Sequence, residues 1–304
     1  MSPARSVALA VAALAASPVL AQQQIFRGGT DVVSLNITVT DNASHLVGGL
    51  PKDVFQVFED GVLQDISFFS GDPQPIALSF LLDSSESMDT KLGVAQQAAL
   101  GFVTRLTPTD IAEVVDFDSR VNVLQPFSSD HALLEHAILK TTAGGSTSMY
   151  NAVYIALTEL KKVKVTSADQ IRRQAIILLS DGEDTSSLVD YDQVLDQAKR
   201  SEVLVYTIGL RSKDDVKTKG FNEADFVMRT LAQETGGRVF FVEKTEDLPS
   251  VYQQIADELA SQYTIGYSSK NPKHDGAFRT VIVRITKPGI TARTKRGYYA
   301  PTIH

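Results

Sequence analysis

Ile76-Ala77-Leu78-Ser79-Phe80-Leu81-Leu82-Asp83-Ser84-Ser85-Glu86-Ser87-Met88 is the stretch from which the rest of the chain can be read. Its first half is an apolar run broken only by Ser79. A strand that is apolar on consecutive positions is covered on both faces, as in the parallel sheets of α/β proteins. Its second half puts one acid among hydroxyls directly past the strand. A turn needs only one or two such residues. Asp83, Ser85 and Ser87 alternate, so an irregular loop can point all three the same way, as a cage of oxygens for a hard cation does.

Outward from this stretch, strands and helices take turns. Lys91 to Leu106 carries Leu92, Ala95, Ala98, Ala99, Phe102 and Leu106 on one helical face. Ile111–Phe117 and Val121–Leu124 read as paired strands, and residues 132–139 and 148–162 as helices. Gln174–Leu179, Val203–Ile208 and residues 237–242 read as further strands, with helices over 191–201, 224–235 and 248–259. Such alternation predicts a doubly wound, mostly parallel sheet between two helical layers. Before it, Val33, Leu35, Ile37 and Val39 alternate with polar residues, Phe55–Phe58 follows, and Glu59-Asp60-Gly61 reads as a hairpin turn. After it, residues 263–267, 280–285 and 291–299 return to β alternation. Neither end has strands enough for a sandwich of its own. The expectation is an α/β domain over 76–262 inserted into one small β-sandwich, built from an N-terminal segment, 22–73, and a C-terminal segment, 263–304.

Residues 1–21 read as a secretory signal peptide: Arg5, an apolar run over Val7–Ala16, and small residues ending at Ala21. The run is too short for a transmembrane anchor. The expectation is an exported protein, periplasmic or secreted, with no membrane span. The chain carries 29 basic and 36 acidic residues, a net charge of −7 that loss of Arg5 takes to −8. That balance argues against a nucleic-acid partner. The absence of cysteine excludes disulfides, thiolate metal sites and a cysteine nucleophile.

Ligands of open α/β sheets bind beyond the carboxyl ends of the strands. Three polar groups fall at such ends or in nearby loops: Asp83–Ser87, Gly144-Gly145-Ser146-Thr147, and Ser180-Asp181-Gly182-Glu183-Asp184. Each alone has a plain reading, as a turn or as a helix cap such as Thr147 before the helix at 148–162. Together they offer only oxygen, and the histidines lie elsewhere, which disfavours zinc. Few carboxylates plus retained water suit Mg2+ or Mn2+ better than Ca2+.

The region 76–262 resembles a von Willebrand factor type A domain. That family's metal-ion-dependent adhesion site joins Asp-x-Ser-x-Ser to a distant Thr and a distant Asp, matched here by Asp83, Ser85, Ser87, Thr147 and Asp181. Val115-Asp-Phe-Asp-Ser119 resembles the family's second strand and turn. Residues 54–61, 263–267 and 296–299 resemble the flanks of a bacterial subgroup. The resemblance implies binding rather than turnover: Ser85, Ser87 and Thr147 as direct ligands, Asp83 and Asp181 bound directly or through water, and an Asp or Glu carboxylate of a partner protein completing the shell, as in cell adhesion. Two rivals remain. One is a structural module whose metal only stabilises loops. The other is a Mg2+-dependent hydrolase with Asp83 as nucleophile; it lacks a second acid at Ser85 and any lysine or arginine in the three loops.

Overall fold

The computed structural model describes residues 32–163, 172–211 and 223–302; residues 1–21, read above as a signal peptide, lie outside the described residues. The amino-terminal part forms β1 (Val32–Asp41), β2 (Phe55–Glu59), β3 (Val62–Gln64) and β4 (Ile66–Ser70). The middle runs β5 (Ile76–Asp83), α1 (Leu92–Val103), β6 (Ile111–Phe117), β7 (Val121–Ser128), α2 (His131–Lys140), α3 (Met149–Lys162), β8 (Arg173–Ser180), α4 (Tyr191–Arg200), β9 (Leu204–Leu210), α5 (Glu223–Thr235), β10 (Val239–Val242) and α6 (Leu248–Ser261). The carboxyl-terminal part adds β11 (Tyr263–Ser268), β12 (Phe278–Ile285), β13 (Ile290–Arg293) and β14 (Gly297–Tyr299).

The central sheet has the order β10-β9-β8-β5-β6-β7, parallel except for the edge strand β7. β5 is buried along nearly its whole length because helices cover both faces. Its Leu78, Phe80 and Leu82 pack with α1, α2 and α6, while Ala77 and Leu81 pack with α3, α4 and α5. The chain leaves β5 towards β6 on one side and later returns to β8 on the other. The carboxyl ends of β5 and β8 therefore form a switch point of the doubly wound order, where a crevice opens.

The flanking strands make two antiparallel sheets, β13-β1-β11-β4 and β14-β12-β2-β3. β1 sits between two strands from the other end of the chain, with Val33 opposite Tyr267 and Val39 opposite Ala292. Val33, Leu35, Ile37 and Val39 meet Phe55, Val57, Ile265, Val281 and Val283 in a separate core. The strand count differs from the sequence reading. Residues 291–299, read as one strand, split into β13 and β14, one for each sheet; residues 62–70 likewise give β3 and β4, divided at Asp65, one for each sheet. Alternation looks the same in both sheets, so the crossing leaves no mark in the pattern.

A polar seam joins sandwich and α/β unit. Glu258 of α6 accepts hydrogen bonds from Thr38 of β1 (3.1 Å), Tyr206 of β9 (2.7 Å) and Arg293 of β13. Arg173 donates to the Leu259 carbonyl at 2.6 Å and to the Gln262 carbonyl at 3.3 Å, closing the carboxyl end of α6.

Candidate metal centre

Strand β5 delivers Asp83 wholly buried at its carboxyl end. Asp83 Oδ1 accepts the Ser85 N–H at 2.8 Å, and Oδ2 accepts the Ser180 hydroxyl. Burial pushes the Asp83 carboxyl above its ordinary value, and the nearby Asp181 charge adds to the rise; the bonds from Ser180 and Ser85 act the other way. A cation beyond the Ser85 loop would favour the anion. Both Asp83 oxygens thus accept hydrogen bonds, one from the loop after β5 and one from the end of β8.

The loop after β5 presents Ser85 and Ser87, whose hydroxyls lie 3.1 Å apart. Ser87 Oγ in turn donates to Asp181 Oδ1 at 2.6 Å, joining the loop after β5 to the loop after β8. Asp181 Oδ2 is held by the Lys91 ammonium, from the start of α1. Thr147 is buried, and a Cβ built on Gly182 would lie 3.9 Å from its hydroxyl. The structure thus gathers Ser85, Ser87 and Asp181 in direct contact, sets Thr147 beside Gly182, and places Asp83 beneath them.

Backbone bonds stitch the loops. Gly144 N–H donates to Ser84 O (2.8 Å), Glu86 N–H to Gly145 O (3.1 Å), and Ser84 N–H to Phe117 O (2.9 Å). Thr185 and Ser186 N–H both donate to Thr147 O. Gly145 has φ +77°, and a Cβ there would lie 2.6 Å from Ser119 Oγ, so the close approach of the 144–147 loop to the β6–β7 turn needs glycine. Thr147 does not cap the helix after it: the N-cap is Ser148, without a side-chain cap bond. Asp184 Oδ2 takes the Tyr150 N–H (2.8 Å) and Ser187 Oγ takes the Asn151 N–H (2.9 Å). The next loop satisfies the first turn of α3, and Thr147 keeps its side chain for the site.

The donor set fits a small, hard cation. The oxygen separations of 2.6 and 3.1 Å are ordinary for hydrogen-bonded oxygens. They also bracket the roughly 2.9 Å edge of an octahedron of oxygens around Mg2+. Among the described residues no three His, Cys, Asp or Glu side chains converge on one point. A metal here would meet the Asp181 carboxylate, neutral hydroxyls and water, a set that leaves it part of its positive charge. Lys91 and Ser180 are the participants that sequence reasoning missed as site residues. Ser180 stood inside a quoted group, whereas nothing local marks Lys91, which meets its partner 90 positions away.

Comparison with known proteins bears on the fold. A UPF0353 protein of Mycolicibacterium paratuberculosis is 26% identical over 209 residues, covering 63% of each chain, so the match spans less than two thirds of that relative's length. A von Willebrand factor type A structure from Catenulispora acidiphila superposes with TM-score 0.54 at 15% identity, over 92% of this chain and 76% of that one. Proximal thread matrix protein 1 of the mussel byssus, in a form with a zinc-occupied MIDAS motif, gives 0.52 at 18% identity, over 67% and 50%. The von Willebrand factor domain of the type V pili tip protein Mfa5 from Porphyromonas gingivalis gives 0.50 at 15% identity, over 61% and 95%. At these identities the structural likenesses establish the fold. The sequence pattern of the von Willebrand factor type A domain spans residues 78–254, from the middle of β5 into α6. With the doubly wound sheet and that match over more than half its length, this chain belongs to the von Willebrand factor type A domain family.

Proposed function

We propose that the protein is an exported, adhesion-type module that binds a partner protein through a divalent cation, Mg2+ or Mn2+, held by Ser85, Ser87, Thr147 and Asp181 over Asp83. The observation that carries this reading is the contact of Ser87 with Asp181, which brings oxygens from two loops, 94 positions apart, to one point. The bound cation supplies an electrophilic position for an outside carboxylate. The protein's own part is to hold hydroxyls in place and to keep the site under-neutralised. Asp181 already shares its charge with Lys91, so a partner Asp or Glu adds the missing negative charge in a partly desolvated setting. The MIDAS motif named for the byssus protein and the pilus-tip source of Mfa5 support a metal-bearing binding role. The leader-like residues 1–21 support export, to the periplasm or beyond.

The rivals fit less well. A nucleophilic Asp83 needs a free oxygen facing substrate, and both its oxygens are buried and bonded. A purely structural metal has little to do where the loops are tied by their own backbones. The test is calorimetric titration of Mg2+ and Mn2+ into the parent and Asp181→Ala, followed by co-purification of binding proteins with and without chelator. The parent binds metal and retains partners only in its presence; Asp181→Ala loses both while its circular dichroism stays that of the folded parent. Equal metal uptake by the two proteins would overturn the site, and equal partner capture in chelator would remove metal from the binding.

A further inference from the structure

Next to the metal centre the sheet's carboxyl edge carries an aromatic row. Tyr150, Tyr191 and Phe226 occupy the first turns of α3, α4 and α5. Their ring centroids are 6.2 Å apart for Tyr150–Tyr191 and 6.1 Å for Tyr191–Phe226. Phe226 is 46% exposed. The row begins three residues after Thr147.

Leu188 stands beside this row and is 95% exposed. Its backbone is not loose. Leu188 and Val189 N–H both donate to Asn151 Oδ1, at 3.1 and 3.2 Å, and Asn151 N–H is held by Ser187 Oγ. Asp184 fixes Ser187 through both its N–H (3.0 Å) and its hydroxyl (2.6 Å). The fold therefore pins a loop so that a leucine side chain stands in water, which costs free energy and adds nothing to the core. A pinned backbone leaves less entropy to be lost on contact, and the tyrosines beside it are of a type enriched at binding hot spots.

The exposed charges of the loop beside the row have one sign, while Arg211 and Arg229, the basic residues near Phe226, lie over the Phe241 ring, and Arg211 is also paired with Asp225. Every exposed charged residue of 183–192 is an acid: Glu183, Asp190 and Asp192. Glu223 is exposed at the start of α5. Burial first, and then Glu223, Asp184, Tyr191 and Glu183, push the Tyr150 phenol up to about 12, so these acids act on the row directly. A partner that brings only a carboxylate here meets repulsion on its way in; one that also brings positive charge does not.

We propose that Leu188 and the Tyr150–Tyr191–Phe226 row dock an apolar side chain of the partner protein, on a segment where lysine or arginine flanks the acid that reaches the metal. This rests on the metal-binding reading above and specifies its partner as a basic-and-apolar segment around one acid.

The probe is a fluorescein-labelled peptide with one aspartate between arginines and a neighbouring leucine, read by anisotropy in Mn2+. Three companions replace the arginines by glutamate, the leucine by serine, or the aspartate by asparagine. The parent protein binds the first peptide about tenfold or more tightly over the glutamate and serine versions. Leu188→Ser abolishes the preference for leucine, and Glu183→Lys with Glu223→Lys abolishes or inverts the preference for arginine; all three positions are exposed, so folding is not at stake. Absence of saturable binding, absence of either preference, or preferences that survive these substitutions would overturn the proposal. Concentration-dependent self-association that Leu188→Ser removes would give the surface to a second copy of this chain and overturn it equally. The asparagine peptide and the chelator control report separately on the metal. If they change nothing while the two preferences respond to the surface variants, the metal reading fails and the docking surface stands.

Discussion

Lys91 is a tethered cation on a residue that a free cation also needs. Its side chain is partly exposed while that of Asp181 is almost fully buried. Replacing Lys91 by Gln frees the carboxylate from this ammonium, and affinity for Mn2+ should rise up to about fivefold, the scale of one partly exposed ion pair. Calorimetric titration decides it, and an unchanged or weaker affinity would show that Lys91 does not compete. Glu113, in the middle of β6 and opposite Ser79 of β5, is a different kind of acid. Burial pushes it from 4.5 up to about 7, with Glu159 adding to the rise and Ser79 and Lys162 opposing it. Between those values the unfolded chain has released a proton that the folded chain keeps. Stability therefore falls as pH rises through this window and is level above it. The loss amounts to about 3 kcal/mol. Glu113→Gln removes it, so the variant should gain on the parent between pH 5 and pH 8 in urea melts. A constant difference between the two proteins across that range would refute the assignment.

At the scale of elements, the loop after β8 and the start of α3 form one latch. Asp184 accepts from Tyr150 N–H, Ser187 N–H and Ser187 Oγ, and the Thr147 carbonyl accepts from Thr185 and Ser186. Asp184→Ala strands these donors and should cost about 1–3 kcal/mol in denaturant melts. It should also weaken Mn2+ binding, because Thr147 and Asp181 lie on the two sides of the latch. Full retention of both properties would mean that the loops hold without it. The β–α order and the three polar loops that carry Asp83, Ser85, Ser87, Thr147 and Asp181 are legible from sequence because each rests on a local pattern: apolar runs, a two-residue alternation, glycines before a helix; joining the loops took the family resemblance. The latch is not legible. Asp184 reads as one more acid in a turn, and only the fold brings the first turn of α3 to it. The expected capping by Thr147 failed for the same reason, since a partner from another loop took the N–H groups that a local cap would have used.

For the whole molecule, the two ends are one structure. β1 lies between β11 and β13, and β2 between β3 and β12. Ending the chain after Ser261 removes β11 to β14 and uncovers Leu35, Ile37 and Val57, each fully buried in the intact protein. Fully burying each such side chain is worth about 1.5–3 kcal/mol. The truncated chain should aggregate, as measured by light scattering and size exclusion; a monodisperse fragment with β1 to β4 protected from hydrogen exchange would contradict the shared sandwich. The same interleaving sets a clock on the emerging chain. β4 ends at Ser70 and its neighbour β11 begins at Tyr263. At roughly 5–20 residues per second, the first half-sandwich waits on the order of 10–40 s for the strands that complete it. Throughout that interval every nascent copy displays the same unpaired edges. Two copies that emerge close together can each supply what the other is waiting for, so the crowding of emerging chains, and not only the stability of the product, bears on how much of it ends as single chains.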